Sequence, residues 1–248
     1  MINIYTEKEI FIMKIAGQKL AQILIRLKNE TKEGITGNYL NKMALKLIKT
    51  VKAEPSFLHY NNFPAALCVS VNNVLVHGLP NDIPFKNKDI ISLDLGLKWR
   101  GYYTDKAISF SIGNVDLKTV KMIQTTKRAL DEAIKKVSIN TKLGEISSTI
   151  QNIIELSGFS VAENLFGHGV GKNVHEEPRI PNFGEKNDGP ILKEGMVLAI
   201  EPMVCQKNGQ IQVLPDRFSI GSKDGSVCCH FEDSVAVTKK GPKVLTRT

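Results

Sequence analysis

The sequence predicts an α+β fold made of two halves within one domain, residues 1–248. Two observations predict it. Element types run helix–helix–strands and then helix–helix–strands again along the chain, and no Pro/Gly/Ser-rich stretch separates the two runs. A third observation makes a single large core plausible on composition: 42% of the 248 residues are hydrophobic and 23% charged, which is the make-up of a globular chain and not of a disordered one.

Thr6-Glu7-Lys8-Glu9 has the S/T-x-x-E form of a capping box and precedes apolar residues at helical spacing, Ile10, Met13, Ala16, Leu20, Leu24 and Leu27, so a helix is expected over about 7–28. Thr36 opens a second, with Leu40, Met43, Ala44, Leu47 and Ile48 on one face and Pro55 as its latest stop. Strand texture follows in Leu67–Val71, Val74–Val76, Ile90–Leu95 and Lys106–Ile112, with a turn placed near Gly96 and Gly101. Helices are expected again over about 117–137 and 144–157, the last stopped by Gly158. Met196–Glu201 and Phe231–Val237 are the clearest late strands.

Several function classes fall away on composition. The start, Met1-Ile2-Asn3-Ile4-Tyr5, has no basic region, and Lys8, Glu9 and Lys14 interrupt the apolar residues after it, unlike a signal peptide. No run approaches the ~20 apolar residues of a membrane-spanning helix. Cys68, Cys205, Cys228 and Cys229 form no C-x-x-C pair, so neither a disulfide framework nor a thiolate zinc site is expected, and a cytoplasmic location fits. The net charge of +8 would suit an anionic encounter partner such as the ribosome surface, but the lysines are scattered as on an ordinary solvated face, and no specific nucleic acid is expected.

Chemistry concentrates in five residues. Asp94 interrupts an apolar strand and Asp105 opens the next; a hairpin would set the two carboxylates side by side, where they would repel unless a proton or a divalent cation lay between them. Glu201 ends the run Met196–Ile200, Glu232 opens Ser234–Val237, and Gly167-His168-Gly169 adds one imidazole between glycines. A lone strand aspartate is ordinarily an edge or turn residue, but that reading becomes strained when repeated at five positions. Two Asp, two Glu and one His, with no thiolate, suit two divalent first-row ions (Co, Mn, Fe(II) or Zn), and four carboxylates balance two dications. His77, in Val76-His77-Gly78-Leu79-Pro80, and His175, in Val174-His175-Glu176-Glu177-Pro178, sit at turns; each is either an ordinary loop histidine or a hydrogen-bonding group on the substrate side.

Together, Asn73–Pro80, Ser92–Gly96, Gly101–Asp105, Gly167–Gly171, His175–Pro178 and Ala199–Met203 resemble type I methionine aminopeptidases, and the resemblance continues through Val213–Asp216 and Phe231-Glu232. It implies the pita-bread fold, two pseudo-symmetric halves around a central antiparallel sheet, with Asp94, Asp105, His168, Glu201 and Glu232 as ligands of two metal ions. It implies removal of methionine before a small second residue by a metal-activated water, with Glu201 as acid/base, His77 bonding the substrate backbone and assisting the leaving amine, and His175 stabilising the tetrahedral intermediate. Phe57, Tyr60, Phe63, Cys68, Val174 and Phe218 would wall the methionine pocket. Nascent polypeptides with a free N-terminal Met would be the partners, and a monomer is expected.

The sequence departs from the usual bacterial pattern at Asn61 (often His), Phe57 (Cys), Phe63 (Tyr), Val174 (Phe), Phe218 (Trp) and His230 (Gln), which bears on pocket shape more than on reaction class. Proline-specific relatives share the ligand set but usually carry a large domain ahead of it, for which the residues before Leu67 leave little room. Type II methionine aminopeptidases carry a helical insertion that the short span from His175 to Glu201 lacks. A non-catalytic binding module on the same fold would have lost ligands, and all five are present.

Overall fold

In the computed structural model, which describes residues 1–248, Thr6 caps helix α1 (Glu7–Glu30) as its signature requires. Its hydroxyl accepts from the Glu9 N–H at 3.3 Å, and the Glu9 carboxylate accepts from the Thr6 N–H at 2.8 Å. Both bonds satisfy donors that a helix start leaves open. Thr36 does the same for α2 (Gly37–Thr50), and the Asp116 carboxylate for α3 (Leu117–Lys135). Helix α4 (Gly144–Leu156) has no side-chain cap and ends ahead of Gly158, which takes the left-handed conformation (φ +85°) open to glycine.

Each pair of helices covers one face of its half. Leu20, Leu24 and Leu27 of α1 and Leu40 and Ile48 of α2 pack on Leu67, Leu93, Leu95 and Leu97. Met122 and Leu130 of α3 and Ile146, Ile150 and Ile154 of α4 pack on Leu198, Ile200, Val235 and Val237. Each fully buried leucine contributes about 2 kcal/mol of transfer free energy. Strand side chains alternate between faces, so the residues interleaved with this core point the other way: Cys68 between Leu67 and Val69, and Asp94 between Leu93 and Leu95.

In the first half, Leu67–Val71 pairs antiparallel with Ile90–Trp99, which pairs with Tyr102–Ser111. In the second, Val197–Ile200 lies between Phe166–Gly169 and Asp233–Thr238, also antiparallel. Ala107 and Glu232 exchange both backbone hydrogen bonds across the seam (3.4 and 3.0 Å), and Ser234 Oγ bonds the Asp105 N–H and C=O at 2.9 and 2.8 Å. This is the pita-bread arrangement.

The structure corrects some expectations. Only Arg100 and Gly101, at positive φ, make the hairpin turn; Gly96 lies inside the strand, where a Cβ would come within 2.8 Å of the Ser56 Cβ. Asp105 therefore stands within a strand that begins at Tyr102 and does not open one. Phe231 and Glu232 precede the strand Asp233–Thr238. Short strands that the texture did not reveal include Glu176–Pro181, Met203–Cys205 and Cys228–His230. All four cysteines are free thiols, as expected, although Cys205 and Cys228 face one another with Sγ atoms 3.7 Å apart.

Candidate active site

Strand register brings the five residues together. Asp94 pairs with Ala107 and Gly96 with Asp105, so the two aspartates sit on neighbouring strands two positions out of step, and share a face. Ile200 pairs with Asp233, which sets Glu201 and Glu232 level just beyond the strand ends. His168 pairs with Ala199, two residues before Glu201, and so faces the same way as that glutamate. Because Ala107 also bonds Glu232 across the seam, the aspartates of one half and the glutamates of the other meet at the junction.

All four carboxylates are buried, and none is paired with Lys or Arg. Asp94 Oδ1 and Glu232 Oε1 have no hydrogen-bond partner at all. Burial, then Asp105 and Glu201, raises the Asp94 carboxyl well above the ordinary carboxylate range. Burial and Glu201 push Asp105 up to about 7. Glu201 is raised by burial, and Glu232 by burial and the neighbouring carboxylates. So much uncompensated negative charge is what a bound cation would neutralise, and ligand atoms of Asp105, His168 and Glu232 lie within 4.8 Å of one another. The oxygen-rich donor set with one well-placed nitrogen fits divalent first-row metals.

His168 presents a free lone pair to the carboxylates. Its Nδ1 lies 2.9 Å from the Gly169 carbonyl, which can only accept, so Nδ1 carries the proton. Nε2, left with its lone pair, points toward Glu201 Oε1 (3.7 Å) and Glu232 Oε1 (3.9 Å). Burial drops its pKa to about 3 and keeps the ring neutral.

The carboxylates form the floor of a cavity of about 390 Å³. Phe57, Tyr60, Phe63, Cys68 and Phe218 line it together with His77 and His175. Phe63 and Phe218 meet edge to face with centroids 5.6 Å apart. Val174 stands behind this wall, packed against Phe57, Phe63 and Cys68 without reaching the cavity. Phe218 is fixed by Asp216, whose carboxylate accepts from the Phe218 and Ser219 N–H groups.

His77 and His175 open onto the cavity, reached by solvent yet surrounded by protein, and burial pushes each to about 4. His77 is held at φ +56°, left-handed backbone that a non-glycine residue adopts only under constraint. The constraint is visible in the next residues. Gly78 lies so close to the Val69 carbonyl that a Cβ there would come within 2.3 Å of it, and the Leu79 N–H donates to Ser219 Oγ at 3.1 Å. His175 Nδ1 lies 3.0 Å from the Tyr60 hydroxyl, and its ring stands edge-on to His168 at 4.3 Å.

Sequence reasoning assigned no role to Val76, Leu165, Phe166, Met203 or Arg217, which also line the cavity. Phe166 and Met203 adjoin the motifs Gly167-His168 and Glu201-Pro202, a proximity that could have flagged them. His230 and Asn61 were noted only as departures; both reach the cavity, and His230 touches Glu201.

The chain belongs to metallopeptidase family M24, whose model matches residues 12–239. It is 41% identical over 247 residues to methionine aminopeptidase 1 of Bacillus subtilis, covering 100% of both chains, and 40% identical to the methionine aminopeptidase of Clostridium perfringens, covering 99% of both. The crystal structure of methionine aminopeptidase from Thermotoga maritima superposes with a TM-score of 0.98 at 37% identity over 100% of both chains. Within the family, its place is therefore among the type I methionine aminopeptidases, and it is a metal-dependent aminopeptidase. The prolidase from Pyrococcus horikoshii is similar at a TM-score of 0.80 and 26% identity, but this chain covers only 63% of it.

Proposed function

We propose that the chain removes N-terminal methionine from nascent proteins and peptides with a small second residue, using two divalent ions held by Asp94, Asp105, His168, Glu201 and Glu232. The observation that carries this reading is the juxtaposition, in one cavity, of four buried carboxylates without a Lys or Arg partner and an aromatic-walled apolar recess. Such ions would lower the pKa of a shared water and polarise the scissile carbonyl.

The remaining work falls to side chains. Phe57, Phe63, Cys68 and Phe218 present a recess of aromatic edges and a thiol, surfaces on which a thioether packs well, which positions the first residue for cleavage. Glu201, raised by burial, takes up the proton of the attacking water and passes it toward the departing amine. The role assigned to His175 requires the tautomer in which the Tyr60 O–H donates to Nδ1, 3.0 Å away, and Nε2–H donates to the oxyanion that develops on the carbonyl. His77, fixed by its strained turn, bonds the substrate backbone beside the leaving nitrogen.

Turnover of Met-Ala-Ser and Ala-Pro-Ser with Co, Mn, Fe(II) or Zn added to chelated protein tests the reading. Metal-dependent release of methionine from the first peptide alone is expected, with two ions bound per chain at saturation. Release of alanine from the second, or cleavage that survives chelation, would overturn it.

A further inference from the structure

A second buried histidine stands among the carboxylates. His230 is 2% exposed, and ligand atoms of Glu201, His230 and Glu232 lie within 4.8 Å of one another, close enough for a reading by distance alone to make His230 a metal ligand. Its hydrogen bonding points elsewhere. His230 Nε2 lies 3.0 Å from Glu201 Oε2, a hydrogen-bond distance, whereas His168 Nε2 stands 3.7 Å from the other oxygen of the same carboxylate. His230 Nδ1 is buried with no partner.

An imidazole that binds metal through Nε2 carries its proton on Nδ1, where a carbonyl or carboxylate normally receives it. His168 has such an acceptor in the Gly169 carbonyl, and His230 has none. Metal ligation by His230 would bury a bare N–H donor, the orphan that folded proteins avoid most; the other tautomer leaves only an unused lone pair, which they tolerate better. The two histidines therefore take opposite tautomers around one glutamate.

We propose that His230 is a positioning residue that donates its Nε2–H to Glu201 Oε2 and so turns Oε1 of Glu201 toward His168 and the metals. Its backbone is clamped for that task. The His230 N–H donates to Ser109 Oγ at 2.9 Å, and the Ser109 hydroxyl donates to the His230 carbonyl at 2.6 Å. On the far side, Asn182 Nδ2 donates to the Glu201 carbonyl at 3.0 Å, so both the main chain and one carboxylate oxygen of Glu201 are held. The proposal rests on the metal-centre reading above.

Long-range ¹⁵N–¹H correlation spectra of the zinc-loaded protein read the tautomers directly. Expected are a protonated Nδ1 and a metal-shifted Nε2 for His168, against a protonated Nε2 and a free, unprotonated Nδ1 for His230. A metal-shifted or unprotonated Nε2 in His230 would overturn the proposal. Zinc affinity and kcat of two variants give an independent reading. His230→Gln, which keeps an N–H donor at similar reach but no imidazole, should retain most of both. His230→Leu should lose ~10–100-fold in affinity or kcat, as removal of groups that orient metal ligands commonly does. Equal losses in the two variants would mark His230 as a ligand, and no loss in His230→Leu would mark it as filler; either result refutes positioning. A wild-type chain that takes up no zinc would refute the metal centre itself, a failure visible in the stoichiometry before any variant is made.

Discussion

Stripping the protein of divalent metal should leave a fold that weakens as pH rises from 7 to 9. Burial and mutual repulsion hold the Asp94, Glu201 and Glu232 carboxyls well above the ordinary range, and Asp105 at about 7. In the unfolded chain all four ionise near pH 4. A carboxyl raised in this way lets the folded state bind the extra proton, so its contribution to stability is complete at low pH and is lost as pH passes through the folded value. The histidines work in the opposite sense: held at about 3 (His168, His230) or about 4 (His77, His175), against 6.5 ordinarily, they add stability with rising pH. Their contribution is nearly complete by about pH 7, where unfolded histidine has lost most of its charge, so the window above it reports the carboxyls. Each carboxyl still protonated in the folded state then removes about 1.4 kcal/mol per pH unit, a fall in Tm of about 3–6 °C per pH unit for a chain of this size. Thermal scans of EDTA-dialysed protein across this range, beside Mn-loaded protein, measure it. Bound cations remove the repulsion, so the loaded protein should not show the decline. A flat Tm in the stripped protein, or the same slope in both, would refute the reasoning.

Two further outcomes follow from the cavity. His175→Ala should keep its full metal content while kcat falls by ~10²–10³, the range for a principal oxyanion donor; a normal kcat would make His175 a loop residue that merely precedes Pro178. Phe218→Ala removes one half of the edge-to-face pair with Phe63 and should raise KM for a Met-peptide by about tenfold, equivalent to ~1.4 kcal/mol, with metal affinity unchanged; parallel loss of both would make Phe218 part of the framework.

The helices were legible because their signals are local. Thr6 with Glu9 and Thr36 cap as their residue types dictate, and the apolar periodicity between caps is strong. The hairpin bearing Asp94 and Asp105 was legible for the same reason, except at Gly96, whose cause is a long-range approach by Ser56 that no local pattern records. Short strands such as Met203–Cys205 and Cys228–His230 are too brief for an alternation to register, and pairing partners define them. The four carboxylates stood out because acidic residues in or beside apolar strands demand an explanation, and His168 because it lies between two glycines. What their neighbours do did not show: the Tyr60–His175 bond spans the two halves, and the tautomer of His230 depends on an acceptor that Nδ1 lacks.

The seam at Ala107 and Glu232 has a consequence for the life of the chain as it is made. Each half supplies only part of the constellation, two aspartates from one and a histidine and two glutamates from the other, and neither fragment alone closes it. A ribosome-bound chain that has completed only its first half exposes no finished hydrolytic centre, and one whose later half has come loose dismantles the centre at once. On the proposed ligand set, the centre is therefore complete only once Glu232 and the final strands are in place.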